Sequence, residues 1–285
     1  MNEDFSLRQT PYSDPGELDT SGLPRAPRRL AAMVRGLVVH RGEGDRLGYD
    51  VPEERLHHDA ESRYVTEILR LLRERGATPL TERQAPGGRF VGTCRDFSLL
   101  LCSLLRATGT PARLRCGFAT YFADDRYEDH WVTEYRARDG GWRLADAQVH
   151  CGYDVPFDPM DVPRDAFLVA GDVWRDCRQG RVDPRMCGVS GVEGLRGLWF
   201  VHGNVLRDLA ALNGVELLPW DGWEPWLRKG TSLGEDALAA ADAVAAARSP
   251  DDWPRLFADP RLTVPAEITS YTTYLGDRRV TLPVR

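Results

Sequence analysis

The stretch CRDFSLLLCSLLRA, residues 94–107, restricts what this chain can fold into more than any other. On a helix, Phe97, Leu99, Leu100, Leu101, Leu104 and Leu105 run round the axis and leave almost no polar face. A helix apolar on all sides must be covered on all sides. Gly109 and Pro111 then stop it. The chain has the material for such a cover: 285 residues, 42% hydrophobic and 28% charged, suffice for one large domain or two small ones with a sizeable core.

The flanking segments say what the cover is made of. Downstream come ARLRCGFATYF, DHWVTEYRAR and GWRLADAQV, rich in β-branched and aromatic residues, with an RDGG turn signal between the last two. A buried helix followed by antiparallel strands predicts an α+β fold. Upstream, DAESRYVTEILRLLRERGATPL predicts a helix, because Val65, Ile68, Leu69 and Leu72 recur at helical spacing. Asp59 or Ser62 is its expected cap and Gly76 its expected end. RRLAAMVRGLVVHRG predicts a helix closed by Gly42, and APGGRFVG a loop. Beyond Pro156 the pattern mixes loop with helices, expected in GLRGLWFVHGNVLRDLAALNG and GEDALAAADAVAAARS. With no repeat and no clean linker, the expected organisation is a loose polar arm over 1–25, a core over 26–155 and a mixed extension over 156–285 that packs on or around the core.

Composition narrows the partners. A net charge of -6 argues against nucleic acid and anionic membranes. The segment MNEDFSLRQTPYSDPGELDTSG has neither a basic nor an apolar targeting region, and no run of about 18 apolar residues occurs. The expected location is the cytoplasm, with Cys94, Cys102, Cys116, Cys151, Cys177 and Cys187 reduced. There is no C-x-x-C pair, and His150, Cys151, Cys177 and Cys187 match no zinc spacing, so neither metal nor organic cofactor is expected.

Cys94 stands at the start of the apolar helix, after Gly92 and Thr93, where unpaired N–H groups and the helix dipole favour a thiolate. Thr93 is a credible cap. Cys102, deep in the helix, reads as core, and Cys116 as packing. A thiolate enzyme also needs an imidazole to share its proton and a carboxylate or amide to orient that imidazole. His130 and Asp146 are the candidates. Alternation puts His130, Val132 and Glu134 on one face of their strand, and Trp142, Leu144 and Asp146 on one face of the next. A two-residue turn at Asp139-Gly140 would set Asp146 opposite Thr133; a wider loop or a bulge is needed to bring Asp146 to His130.

GTCRDFSLLLCSLLRATGTPARLRCGF, then HWVTEY, then GWRLADAQ, resemble the transglutaminase-like superfamily of papain-fold thiol enzymes, bacterial type, over roughly residues 60–150. The resemblance implies a papain-like α+β core, in which N-terminal helices and a buried catalytic helix pack on an antiparallel sheet. It implies Cys94 as nucleophile, His130 as general acid and base, and Asp146 as its orienting partner. The expected function is acyl or amide cleavage or transfer through a Cys94 thioester, of the peptidase or amidase kind, on a peptide, amide or other acyl substrate. The alternatives are an amide-forming acyltransferase and a non-catalytic binding module. Oligomeric state stays open.

Other polar and aromatic residues have simpler readings. Asp96 in the first helical turn stabilises the helix. Glu134 faces His130 or pairs with an arginine such as Arg113. His57, His58, His150 and His202 are surface or packing residues, with His150 the one rival to His130. The Cys94 amide, and more remotely Gln84, are candidate oxyanion donors. Trp220, Trp223 and Trp226 line a groove or, more in keeping with buried aromatics, form a packed cluster.

Overall fold

The computed structural model describes residues 3–223, 227, 230, 232–247, 249–272 and 274–283. Helices α1 (Glu3–Leu7) and α2 (Pro27–Leu37) precede a short strand β1 (Val38–His40). After α3 (Glu53–His58) and α4 (Val65–Glu74), strand β2 (Phe90–Gly92) leads into α5 (Cys94–Ala107). Strands β3 (Ala112–Ala119), β4 (Tyr127–Arg136), β5 (Trp142–Ala145) and β6 (Phe167–Val169) follow. Then come α6 (Ala170–Arg178), β7 (Cys187–Gly188), α7 (Leu198–Leu212), β8 (Asp221–Gly222) and α8 (Glu235–Ala246). The chain closes with α9 (Asp252–Phe257), β9 (Glu267–Thr272) and β10 (Gly276–Thr281). The main sheet has the order β5-β4-β3-β6, with β7 parallel to the start of β4. This is the α+β architecture expected.

Two compact units divide the chain, one holding residues 3–114 and Val132–Val162, the other Arg115–Trp131 and residues 163–283. The chain passes from one unit to the other within β3, back within β4, and across once more between residues 162 and 163.

In the first unit α5 is the centre. Every residue from Cys94 to Arg106 is buried, and α1, α2, α4, β1 and β2 pack on it. Each leucine so enclosed contributes about 2 kcal/mol of transfer free energy. The helix has polar groups too, and the N-terminal segment bonds two of them. Gln9 Nε2 donates to the Ser103 carbonyl over 2.9 Å, and Arg106 Nη1 donates to Ser13 Oγ over 2.8 Å. Tyr12 and Ser13 are buried, and the Val65 N–H donates to the Tyr12 carbonyl. The segment expected to be a loose arm is held by these bonds from its ninth residue on.

Two helix boundaries differ from expectation for reasons of pairing. Helix α2 ends at Leu37, not Gly42, because Val38 and Val39 leave it to pair in parallel with Phe90 and Val91. Helix α4 begins at Val65, with neither Asp59 nor Ser62 capping it. The Asp59 carboxylate instead accepts from the Val91 N–H at 2.9 Å and from Arg75 at 2.6 and 2.7 Å, tying the end of α4 to β2. Gly76 does close α4, at φ +86°, with the Ala77 N–H bonded back to the Leu72 carbonyl.

The second unit is built on α6, α7 and α8, which pack on one another. Trp174, Val173, Phe200, Val201 and Val205 form its apolar centre with Ala241 and Ala245 of the alanine-rich α8. Trp174 Nε1 donates to Asp242 over 2.7 Å, so the buried indole keeps its hydrogen bond. Gly117 on β3 pairs with Val169 of β6, and a Cβ there would lie 2.2 Å from the Leu168 carbonyl oxygen. Only glycine lets these strands approach. Strands β8, β9 and β10 make a separate antiparallel sheet in the order β10-β9-β8.

Candidate active site

Cys94 is the first residue of α5 and is 7% exposed. The preceding Thr93 is extended, and its N–H and hydroxyl both donate to Asp96 Oδ2, at 2.8 and 3.1 Å. This carboxylate in the first turn closes the helix start. Gly92 is required for the closure: a Cβ on it would stand 2.9 Å from Asp96 Cβ, from Asp96 Oδ2 and from the Phe90 ring. The Gly-Thr-Cys-Arg-Asp spacing thus has a steric cause. Asp96 acts as helix stabiliser, as its place in the sequence suggested.

Arg95 completes the cradle from within. It is fully buried, with Nη1 donating to Asp96 Oδ1 at 2.9 Å and to the Ser62 carbonyl at 3.2 Å, and Nη2 to the Arg63 carbonyl at 2.6 Å. Burial pushes the Asp96 carboxyl above its ordinary range, while Arg95 and the Thr93 donors pull it down. The end of the helix that carries the thiol is therefore pinned by a buried ion pair.

Asp146 lies in the same unit as Cys94, one residue past β5, and is 1% exposed. Its N–H donates to the Pro159 carbonyl at 2.8 Å. Its Oδ1 accepts from the Gln148 and Val149 N–H groups at 2.9 and 3.3 Å, so a local turn fixes the carboxylate plane. The ladder pairs Thr133 with Ala145, Glu134 with Leu144 and Arg136 with Trp142. Asp146 therefore follows on the Val132 side and not opposite Thr133, as a two-residue turn would have placed it. Glu134 takes the structural reading, accepting from Arg113 Nε at 2.8 Å while Arg113 stacks 4.1 Å from the Trp142 ring centre.

His130 belongs to the other unit, on β4, and is 2% exposed. Its ring is met edge-on by Phe122, Tyr121 and Phe167, with centroids 4.9, 5.9 and 6.3 Å away. These aromatics, from the 119–127 connection and β6, were not singled out from the sequence. Neither was Asn204 on α7, whose side-chain amide donates to Asp129 Oδ1 at 2.7 Å, beside His130. An acid before a histidine is visible in EDHW; its partner 75 residues away is not.

The remaining candidates are distributed as follows. Gln84 Nε2 donates to the nearby Glu82 carbonyl at 3.0 Å, a local loop contact. His58 is exposed and His57 half-buried. His150 is buried, and burial together with Arg28 pushes its imidazole down. Burial and Arg207 push His202 down to about 4. Cys102 and Cys116 are fully buried, as packing residues are. Trp223 is buried and Trp220 half-buried; Trp226 lies outside the described residues. Among the described residues no group of three or more His, Cys, Asp and Glu side chains is arranged to hold a metal ion, and no helix is long and apolar enough to cross a membrane.

Residues 60–147 match the family model of the transglutaminase-like superfamily. A solved structure, of a candidate cysteine protease from Cytophaga hutchinsonii, is similar at 17% identity over 59% of this chain and 46% of that one, with a TM-score of 0.26. The chain spans less than half of that protein's length. No curated protein matches.

Proposed function

With residues 60–147 as a transglutaminase-like core, we propose that this protein is a thiol hydrolase that cleaves an amide or other acyl bond through a Cys94 thioester. The observation that carries the reading is Cys94 at the closed, buried start of α5, inside the segment the family model matches. A thiolate there meets the positive end of a long helix. In the proposed reaction Cys94 Sγ gives its proton to His130 and attacks the carbonyl carbon. The Cys94 N–H, at the helix start, stabilises the oxyanion. His130 then protonates the leaving amine, and water, deprotonated by the same imidazole, releases the acid.

Asp146 orients the imidazole in this scheme. Two features support that role. Its carboxylate is already fixed by the 148–149 turn, and continuing the observed register sets it beside Val132, whose face on β4 His130 shares by alternation. The substrate class is a peptide, an amide or another small acyl compound. Six cysteines held as thiols suit a reducing compartment such as the cytoplasm.

The test is labelling of Cys94 by iodoacetamide across pH, located by peptide mapping, in the wild type and in His130→Ala. Selective labelling at or below neutral pH that slows in the variant supports the pair. Labelling no faster than that of an ordinary exposed thiol, and indifferent to His130, overturns it. Turnover of amide libraries with and without added hydroxylamine then separates water from an amine as the acceptor.

A further inference from the structure

Asp129 and His130 are successive residues of β4, so their side chains take opposite faces of the strand. On the Asp129 face α7 supplies a connected run of hydrogen bonds. The Asn204 side-chain amide donates to Asp129 Oδ1 at 2.7 Å, and its own Oδ1 accepts from Arg207 Nη1 at 3.2 Å. Arg207 Nε donates in turn to the Asp221 carbonyl at 3.1 Å. Asn204 and Arg207 are 1% and 6% exposed. Placing an asparagine and a guanidinium in the interior is costly unless both are bonded, and here both point along one route that ends at the residue before His130.

An inert strut would have no need of an ionisable end. Burial pushes the Asp129 carboxyl up to about 6, with Glu128 adding to the rise, while Asn204, Arg207 and His130 oppose it. The charge beside the imidazole therefore changes close to the working range of a thiol enzyme. The His130 ring itself meets the apolar and weakly polar edges of Phe122, Tyr121 and Phe167. The charged and titratable groups that act on Asp129 are its chain neighbours Glu128 and His130, which take the other face of β4, and Arg207 on α7, linked to it through Asn204.

We propose that Asp129, held by Asn204, is a positioning residue for His130: the hydrogen bond fixes the strand position of the ring, and the carboxylate places its charge next to the imidazole that serves Cys94. The inference rests on the thiol–imidazole reading of Cys94 and His130. It adds a second carboxylate to the one assigned to Asp146, acting through its own charge and the placement of the strand.

The experiment is the pH profile of Cys94 labelling by iodoacetamide between pH 5 and 8 in the wild type, Asp129→Asn, Asn204→Ala and His130→Ala, each checked by circular dichroism and thermal unfolding. Asp129→Asn keeps an oxygen for Asn204 and removes the charge. It is expected to slow labelling at pH 6.5 by about 3- to 10-fold and to erase the inflection near pH 6. Asn204→Ala, which removes a bond that favours the ionised carboxylate, moves that inflection to higher pH. A folded Asp129→Asn whose profile superimposes on the wild type, while His130→Ala stays slow, overturns the inference and leaves the thiol–imidazole pair standing. Should Asp129→Asn fail to fold, an Asn204→Ala inflection unmoved from the wild type overturns it equally. Labelling indifferent to His130→Ala removes the pair and this inference with it.

Discussion

Thr133 stands opposite Ala145 in the β4–β5 ladder, and that single pairing decides which face Asp146 takes. The turn that sets it is a three-residue loop. The Ala137 N–H donates to the Gly141 carbonyl at 2.8 Å, the Gly140 N–H to the Ala137 carbonyl at 2.9 Å, and Gly140 sits at φ +84°. A type I turn closed by a left-handed glycine is a common hairpin solution, and it carries one residue more than the two-residue turn. Deleting Gly141 with the three-residue loop kept sets Trp142 opposite Ala137 and shifts β5 by one. Leu144, now 1% exposed, would leave the buried face, at a cost of about 2–5 kcal/mol. Asp146 would turn away from the Val132 face. The expected outcome is a lower unfolding midpoint in urea together with loss of His130-dependent labelling of Cys94; a variant with wild-type stability and labelling refutes the register argument.

This loop also marks where the sequence stops being readable. Alternation placed His130, Val132 and Glu134 together, and Trp142, Leu144 and Asp146 together, and the ladder pairs those two faces. Register does not follow from alternation, because RDGG fits a two-residue and a three-residue turn alike. The start of α5 was legible for a stronger reason: glycine, cap, thiol and carboxylate all lie within five residues, so local sterics determine the geometry. Asp59 shows the reverse case. Its sequence position suggests a cap for α4, yet its partners are Val91 and Arg75, chosen by the packing of β2. Asn204 and Arg207 are equally silent in sequence, since a polar pair on an apolar helix acquires meaning only once Asp129 is seen to meet it.

Gly92→Ala tests the helix start directly. The added methyl would clash with Asp96 and with Phe90 at 2.9 Å, and neither is free to retreat: Asp96 is held by Arg95 and Thr93, and Phe90 is fully buried. Overpacking of this kind costs about 1–3 kcal/mol. Because the strain falls two residues before Cys94, labelling of the thiol should change along with stability. Ala60→Gly, a change of similar size in the same unit but on the buried 3-10 turn before α4, should lower stability without altering the pH dependence of labelling. Equal effects of the two variants on the pH profile would show that the helix start has no special influence.

Asp129 has a consequence for stability opposite to that of most carboxylates. Its folded pKa, about 6, lies above that of an unfolded aspartate near 3.8. The folded state therefore holds the proton more tightly, and the contribution is present below about pH 4 and lost as pH rises through 6. The loss amounts to roughly 2–3 kcal/mol by neutral pH. Asp129→Asn removes it, so the variant should gain stability over the wild type at pH 7 and show little gain at pH 4.5, read by urea unfolding at both values. A uniform gain or loss across pH would contradict the assignment.

His202 acts in the contrary sense. It is 1% exposed, packed with its ring centre 5.9 Å from that of Trp174, and burial with Arg207 holds it down to about 4. A base whose folded pKa is depressed supports the fold above its unfolded value, near 6.5, and that support disappears as pH falls through 4. The full span corresponds to about 3 kcal/mol. Since Asp129 gains stability on acidification over much of the same range, the two nearly cancel, and the wild type should show a shallow slope between pH 7 and 4.5 from this pair. His202→Gln removes one arm of the balance. It should be less stable than the wild type at pH 7, through lost packing, yet become relatively more stable as pH falls to 4.5. A stability difference between His202→Gln and the wild type that stays constant over that range would show that the imidazole takes up its proton as readily in the fold as in the unfolded chain, and would overturn the assignment.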